Sequence, residues 1–237
     1  MTVVFLHPIA LDGGCWQFLT SERLGKSVFY DMQWHGGRPA PSGPLTLESF
    51  AGDVIENVQG DLDIIGLSLG GAVALEIALR RPERVRSLML ACSSAGGGRA
   101  GTVLRERAAE VDRVGMTGVL DVTLQRWFTQ EALDTVDHPG VRYARESLLR
   151  SSPESFAASW RALAENDALA QLPTLRAPTT VLHATADVTG PVDTRKAMVA
   201  RIPGSRLAVI PGPHMVQLEQ PAEFEAAVLD HLDWVGR

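Results

Sequence analysis

The segment Asp61-Leu-Asp-Ile-Ile-Gly-Leu-Ser-Leu-Gly-Gly71 decides the fold of this chain. It begins with a short apolar run, Leu62 to Leu67, whose length and β-branched content predict a buried strand. The next run, Leu69 to Arg80, is apolar on nearly every side, which predicts a helix buried between two layers. Ser68 stands between the two runs, with a glycine two residues before it and another two residues after it. The segment therefore predicts a strand, a sharp turn and a buried helix.

Residues Gly66 to Gly70 match the pattern G-x-S-x-G. In this pattern the serine is held on a strained turn, and glycines flank it because a Cβ would collide across the turn. The turn lifts the hydroxyl above the sheet and points the first N–H groups of the helix toward whatever the serine attacks. Ser68 is therefore a candidate nucleophile. A serine that only caps the helix in a glycine-rich turn would match the same pattern. Whether the chain offers a base and an acid for Ser68 therefore decides between the two interpretations.

Composition limits the class of protein. A chain of 237 residues with 45% apolar content can bury one large core, and α/β folds of this size usually form a single domain. The net charge of −6 argues against a nucleic-acid partner. Cys15 and Cys92 provide neither a disulfide framework nor the spacing of a metal site. Without a basic leader or a bilayer-length apolar run, we expect a cytoplasmic protein that acts on a small molecule and has no membrane partner.

Strand-like and helical runs alternate at both ends of the chain. The predicted strands are Val3 to Leu6, Ser27 to Met32, Leu62 to Leu67, Val85 to Cys92, Thr179 to His183 and Arg206 to Ile210. The predicted helices between and after them are Leu45 to Gln59, Leu69 to Arg80, Asp193 to Arg201 and Ala222 to Trp234. This alternation predicts an α/β fold with a mostly parallel sheet and helices on both of its faces.

The alternation breaks in the middle of the chain, where only helical periodicity is found. The helices predicted there are Leu104 to Val114, Val119 to Phe128, Val141 to Leu149 and Glu154 to Ala164. We therefore predict an α/β core formed by residues 1–95 and 173–237, with residues 96–172 inserted as a helical lid. Such an insertion would cover the carboxyl ends of the strands, where ligands bind. A separate helical domain is the alternative, and the resumption of alternation directly afterwards argues against it.

Two residues after late strands are the candidate partners of Ser68. A serine nucleophile needs a base, and the base needs a third group that fixes its tautomer. Asp187 follows the strand that ends at His183, and His214 follows the last strand, so both would lie at the sheet edge that holds Ser68. Asp193 is a competing acid, which we expect instead at a helix N-terminus. The order of serine, aspartate and histidine along the chain predicts a triad in which Ser68 is the nucleophile, His214 is the base and Asp187 orients His214.

The segment Gly96-Gly-Gly-Arg-Ala-Gly101 matches the dinucleotide pattern G-x-G-x-x-G. That fingerprint belongs in a short βαβ unit, whereas no strand is predicted after this segment until Thr179. We therefore interpret the segment as the flexible start of the lid and not as an NAD site.

Several segments resemble the α/β-hydrolase superfamily, and the resemblance spans nearly the whole chain. They are Gly66-Leu-Ser-Leu-Gly-Gly71, Ala186-Asp-Val-Thr-Gly-Pro191 and Gly212-Pro-His-Met-Val-Gln-Leu-Glu-Gln-Pro221. The His-x4-Glu-Gln-Pro ending and Arg126-Trp-Phe-Thr129 resemble, more narrowly, the 3-oxoadipate enol-lactonase-like branch. The resemblance implies a Ser68–His214–Asp187 triad, no cofactor, and hydrolysis of a carboxylic ester or lactone. It also implies an oxyanion hole formed by the backbone N–H groups of Leu69 and Ile9.

The chain departs from the family pattern in three places. His7-Pro8 stands where the family usually has His-Gly, and proline removes one backbone donor. Ala184 stands where a glycine is often found three residues before the acid. The first strand corresponds to what is usually the third, so we expect a sheet of about six strands.

These observations predict a serine hydrolase that cleaves a small ester or lactone, with a carboxylate elsewhere on the substrate, through an acyl-enzyme. Carbon–carbon bond hydrolysis of a diketone-like compound is an alternative, although the related enzymes often carry an aromatic residue where Met215 stands. A second alternative is a ligand receptor that has kept the hydrolase fold. Arg126, Trp127 and Phe128 are the candidate substrate-binding residues, because arginine pairs bidentately with a carboxylate. Consecutive helical residues point about 100° apart, so the three cannot share one face, and a solvated Arg126 is the alternative.

Overall fold

The computed structural model describes residues 2–96 and 100–236. Its centre is a sheet of six strands in the order β2-β1-β3-β4-β5-β6, in which every neighbouring pair is parallel. The strands are β1 Thr2–Leu6, β2 Ser27–Tyr30, β3 Leu62–Leu67, β4 Val85–Ala91, β5 Thr179–Ala184 and β6 Arg206–Ile210. The predicted parallel sheet of about six strands is therefore confirmed.

The described residues form helices around this sheet. They are α1 Leu47–Asn57, α2 Leu69–Arg80, α3 Ala100–Trp127, α4 Gln130–Asp134, α5 Pro139–Arg150, α6 Pro153–Ala164, α7 Val192–Val199, α8 Val216–Glu219 and α9 Pro221–Trp234. The sequence did not predict the two short helices α4 and α8, which are too short to show a periodic pattern. No helix in the described part of the chain is both long and apolar enough to cross a bilayer.

Helices cover both faces of the sheet, as predicted. Every residue of β3 is buried, and successive strand residues point to opposite faces. On one face Gly66 lies directly against the first turn of α2. On the other face the Phe5 ring packs against Trp16 with 5.3 Å between ring centroids, and Trp16 stacks on Phe224 of α9 at 5.7 Å. The core therefore consists of two apolar layers separated by the sheet.

The helices α3 to α6 lie between β4 and β5 in the chain, where the sequence predicted only helices. Helix α3 is bent at Gly115, whose φ of 66° interrupts the helical backbone. Part of the G-x-G-x-x-G segment, residues 97–99, lies outside the described residues. A Cβ on Gly96 would lie 1.8 Å from the carbonyl oxygen of Asn166, and one on Gly101 would lie 2.7 Å from that of Ala164. These two glycines are therefore explained by close packing against the end of α6.

Candidate active site

Ser68 lies on a strained turn between β3 and α2. Its φ of 55° and ψ of −113° are unfavourable for a residue with a Cβ. A Cβ on Gly66 would lie 2.3 Å from the carbonyl oxygen of Gly70, and one on Gly70 would lie 1.9 Å from that of Leu6. Both flanking glycines are thus required by contact with backbone atoms. The turn places the Ser68 side chain at the carboxyl edge of the sheet.

The three residues predicted as a triad form a hydrogen-bonded chain. His214 Nε2 lies 2.9 Å from Ser68 Oγ, and His214 Nδ1 lies 3.1 Å from Asp187 Oδ1. His214 and Asp187 are buried. The competing acid Asp193 is exposed in the first turn of α7, where it pairs with Lys196 at 3.4 Å. The structure therefore brings Asp187, and not Asp193, to the imidazole.

Asp187 is held in its ionised form by several contacts. Its Oδ1 accepts hydrogen bonds from the backbone N–H of Thr189 at 2.9 Å and from the Thr189 hydroxyl at 2.7 Å. Its Oδ2 accepts a hydrogen bond from Arg195 at 3.0 Å. Burial by itself would raise the pKa of the carboxyl group, but the contacts with His214 and Thr189 hold this pKa well below its usual range. Asp187 can therefore orient His214 and stabilise an imidazolium.

Sequence reasoning missed Thr189 and Arg195. The spacing Asp-x-Thr, typical of an Asx turn, was an available signal for Thr189. Arg195 had no such signal, because arginines on a short polar helix are usually exposed. The structure instead buries its side chain to 3% exposure against a fully buried Asp187.

The predicted oxyanion-hole residues lie on two segments that approach each other beside Ser68. Leu69 is the first residue of α2, and Ile9 is buried in the loop after β1. The close approach of Gly70 to the carbonyl groups of Leu6 and His7 brings this loop against the helix N-terminus. Among the described residues, neither the Leu69 nor the Ile9 backbone N–H has an acceptor. Both are therefore free to donate to a ligand.

His7 shapes the loop that carries Ile9. Its Nε2 accepts a hydrogen bond from the backbone N–H of Met32 at 3.0 Å, so the proton is on Nδ1, which donates to the Pro8 carbonyl at 2.8 Å. Burial lowers the pKa of His7 to about 4, which keeps the ring neutral near pH 7. His7 thus fixes the loop beside Pro8, although Pro8 itself donates no backbone hydrogen bond.

The inserted helices are attached to both loops of the site. The carbonyl of Trp127, at the end of α3, accepts a hydrogen bond of 3.0 Å from the backbone N–H of Met215, next to His214. Tyr143 on α5 donates to the Asp12 carboxylate at 2.6 Å in the loop after β1. A shift of these helices would therefore move the imidazole loop and the loop of Ile9.

A cavity of about 250 Å³ opens beside Ser68 and His214, under the inserted helices. Arg126 and Trp127 lie on its wall. Phe128, one residue past the end of α3, is not among the lining residues, and its ring faces that of His138 with 6.4 Å between the ring centroids. The ring thus makes a packing contact, and a role of Phe128 in substrate binding stays a prediction. Larger grooves of about 580 and 650 Å³ lie elsewhere and lack Ser68, so volume alone does not locate the site.

Cys92 is close to the triad, since its sulfur lies within 4.8 Å of ligand atoms of Asp187 and His214. Burial raises the pKa of the Cys92 thiol well above its usual value, so the thiol stays protonated and is a poor metal ligand. The facing atoms of Asp187 and His214 already contact each other. The chemistry of this cluster thus favours proton transfer over metal binding.

The chain belongs to the alpha/beta hydrolase family, whose profile matches residues 3–227. It is 30% identical over 206 residues to 3-oxoadipate enol-lactonase 2 of Acinetobacter baylyi, covering 85% of this chain and 76% of the relative. A pimeloyl-[acyl-carrier protein] methyl ester esterase of Aromatoleum aromaticum is 30% identical over 224 residues, or 87% of each chain. A crystal structure of a hydrolase from Pseudomonas aeruginosa PA01 has a TM-score of 0.89 at 31% identity, covering 98% of this chain and 89% of that one. The predicted resemblance to this family is confirmed.

Proposed function

We propose that this protein is a serine hydrolase that cleaves a small carboxylic ester or lactone through an acyl-enzyme. The observation that carries the proposal is the continuous path from Ser68 Oγ through the His214 ring to Asp187, at 2.9 and 3.1 Å. The two relatives reported above bear the names of an enol-lactonase and a methyl ester esterase. Both names support an ester bond as the substrate.

The proposed reaction has two halves. Ser68 Oγ attacks the carbonyl carbon while His214 Nε2 takes the hydroxyl proton, and the C–O bond of the collapsing intermediate breaks as His214 returns this proton to the leaving alkoxide. Water then attacks the acyl-enzyme, with His214 again as the base. The N–H groups of Leu69 and Ile9 donate to the oxyanion in both halves. Asp187 orients Nδ1 of the ring and stabilises the imidazolium.

The inserted segment, residues 96–172, is proposed to act as the lid of the site. Its helices supply Arg126 and Trp127 to the cavity wall, and its bonds to both catalytic loops fix its position. The cavity of about 250 Å³ is smaller than the ~300–1,000 Å³ of common ligand pockets, which favours a small acyl group. Substrate selection is therefore assigned to the lid, and bond cleavage to the core.

The test is multiple-turnover hydrolysis of p-nitrophenyl esters of graded acyl length, simple lactones and enol-lactones. A fluorophosphonate probe followed by mass spectrometry should modify Ser68, and Ser68→Ala should abolish both labelling and turnover. A single slow turnover with retained product would point to a receptor. Faster cleavage of a vinylogous diketone than of every ester would point to a carbon–carbon hydrolase.

A further inference from the structure

Two motifs that are far apart in the sequence contact each other beside the active site. The first is Arg126-Trp-Phe-Thr129, at the end of α3, and the second is the His-x4-Glu-Gln-Pro sequence that begins at His214. Glu219 of the second motif accepts two hydrogen bonds from Thr129 of the first, one from its backbone N–H at 2.9 Å and one from its hydroxyl at 2.7 Å. Each carboxylate oxygen accepts one of them, so the contact is bidentate and charge-assisted. Thr129 and Glu219 thus form a clamp between the inserted helices and the loop of His214.

The clamp adds to a backbone contact at the other end of the same loop. Directly after His214, the Met215 N–H donates to the Trp127 carbonyl at 3.0 Å. Helix α8 begins at the next residue and ends at Glu219. Both ends of the stretch that follows the base are therefore bonded to three consecutive residues, 127–129.

The middle of this stretch also packs against the inserted helices. A Cβ on Gly140, in the first turn of α5, would lie 2.3 Å from the carbonyl oxygen of Leu218. Helix α8 has only four residues, and so short a helix is not stable by itself. Its position, and with it the position of the base, therefore depends on these contacts.

The His214 ring needs this support because proton transfer depends on where the ring lies. Its Nε2 lies 2.9 Å from Ser68 Oγ, and a misplacement of about 1 Å can cost about 100-fold in rate. The contact of Nδ1 with Asp187 at 3.1 Å orients the ring but does not fix the backbone that carries it.

We propose that Thr129 and Glu219 are positioning residues for the base, because their clamp holds the loop of His214 so that Nε2 stays at Ser68. This inference rests on the proposed function and deepens it, since it adds two residues that act through His214 and do not line the cavity beside Ser68. Loss of the clamp should therefore slow the hydrolysis of every ester by the same factor, whatever its acyl group.

The first test is Thr129→Val, which keeps the side-chain shape and the backbone N–H but removes the hydroxyl donor. Kinetics are measured with p-nitrophenyl acetate and p-nitrophenyl hexanoate. For both esters kcat should fall about tenfold, as for a lost hydrogen bond to a charged group, while KM stays within about twofold of wild type. An effect on the cavity wall would instead raise KM and would be larger for the longer ester.

Glu219→Gln separates the clamp from helix capping, because Thr129 also caps α4 through the Ala132 N–H at 3.3 Å. Glutamine leaves that cap intact but lacks the charge and one of the two acceptor oxygens, so kcat should again fall. Thr129→Ser keeps the hydroxyl and should recover most of the activity. Thr135→Val is the matched control, since the Thr135 hydroxyl donates to the Glu131 carbonyl at 2.8 Å, at the other end of α4. Its kcat should equal that of wild type.

Amide hydrogen exchange of residues 213–220, followed by mass spectrometry, gives a readout that does not require turnover. Exchange in this stretch should become faster in both clamp variants, Thr129→Val and Glu219→Gln, and should stay unchanged in the control. Unchanged kcat in both clamp variants, unchanged exchange in both, or a loss confined to the longer ester would overturn the proposal. If the wild type hydrolyses no ester in a Ser68-dependent way, the proposed function fails instead, and hydrogen exchange alone decides whether the clamp holds the loop of His214.

Discussion

We predict that the buried ion pair between Arg195 and Asp187 stabilises the folded protein. Replacing Arg195 with methionine keeps much of the side-chain volume and removes the charge. The arginine side chain is 3% exposed, and the Asp187 side chain is fully buried. Removing one partner of a buried pair costs about 3–5 kcal/mol. Because Oδ1 of Asp187 keeps three contacts, with His214 and with the N–H and hydroxyl of Thr189, we expect the lower end, about 3 kcal/mol.

The assay is urea denaturation followed by tryptophan fluorescence, which gives the free energy of unfolding. Thermal unfolding of a chain this size should shift by about 6–12 °C for 3 kcal/mol. Lys196→Met is the matched control on the same helix, because this exposed lysine makes only a surface contact of 3.4 Å with Asp193. It should change the free energy of unfolding by less than about 0.5 kcal/mol. Arg195→Lys should recover part of the loss.

The loss of stability in Arg195→Met should depend on pH. The folded-state pKa of Asp187 is depressed, so the stability it contributes is present above the unfolded pKa, about 3.9, and is lost as pH falls through the folded pKa. Arg195 donates a hydrogen bond of 3.0 Å to the ionised carboxylate, so in its absence protonation of Asp187 relieves part of the penalty in acid. The deficit of Arg195→Met should therefore be smaller at about pH 4 than at pH 7.5. A deficit below about 1 kcal/mol at pH 7.5, or one that grows in acid, would refute the reasoning.

Three further outcomes follow from the site. Ser68→Ala, His214→Ala and the double variant should each lower kcat by roughly 10⁴ or more, because residues that act as a unit are non-additive, and separate effects that multiply would contradict this. Asp187→Asn should lower kcat by about 10⁴ through the wrong imidazole tautomer, whereas the exposed Asp193→Asn should have little effect, and the reverse order would show the acid to be misassigned. Gly70→Ala places a Cβ 1.9 Å from a β1 carbonyl oxygen and should destabilise the fold by more than about 1–3 kcal/mol; a thermal midpoint within 2 °C of wild type, about 1 kcal/mol or less, would show that the turn can relax.

The sequence alone was enough to predict the sheet and the three residues at its edge. Strands buried on both faces are almost uniformly apolar, so β3 is recognisable without any contact information. The need for Gly66 and Gly70 could be predicted because neighbouring backbone atoms approach so closely that there is no room for a Cβ. Asp187 and His214 could be predicted because the carboxyl ends of parallel strands share one edge, so position after a strand implies position in space.

Other features depended on tertiary structure. Arg195 lies at a position that local pattern assigns to solvent, and only the packing of α7 against the Asp187 loop buries it. Phe128 could not be distinguished from Trp127 by sequence, because contacts with other elements decide where α3 ends and in which direction the chain leaves it. Arg107 and Arg126 lie on either side of the bend at Gly115 and line the same cavity, and a bend angle is not encoded in helical periodicity. Local sequence thus determined which segments are buried, whereas the directions of the side chains on the inserted helices required long-range packing.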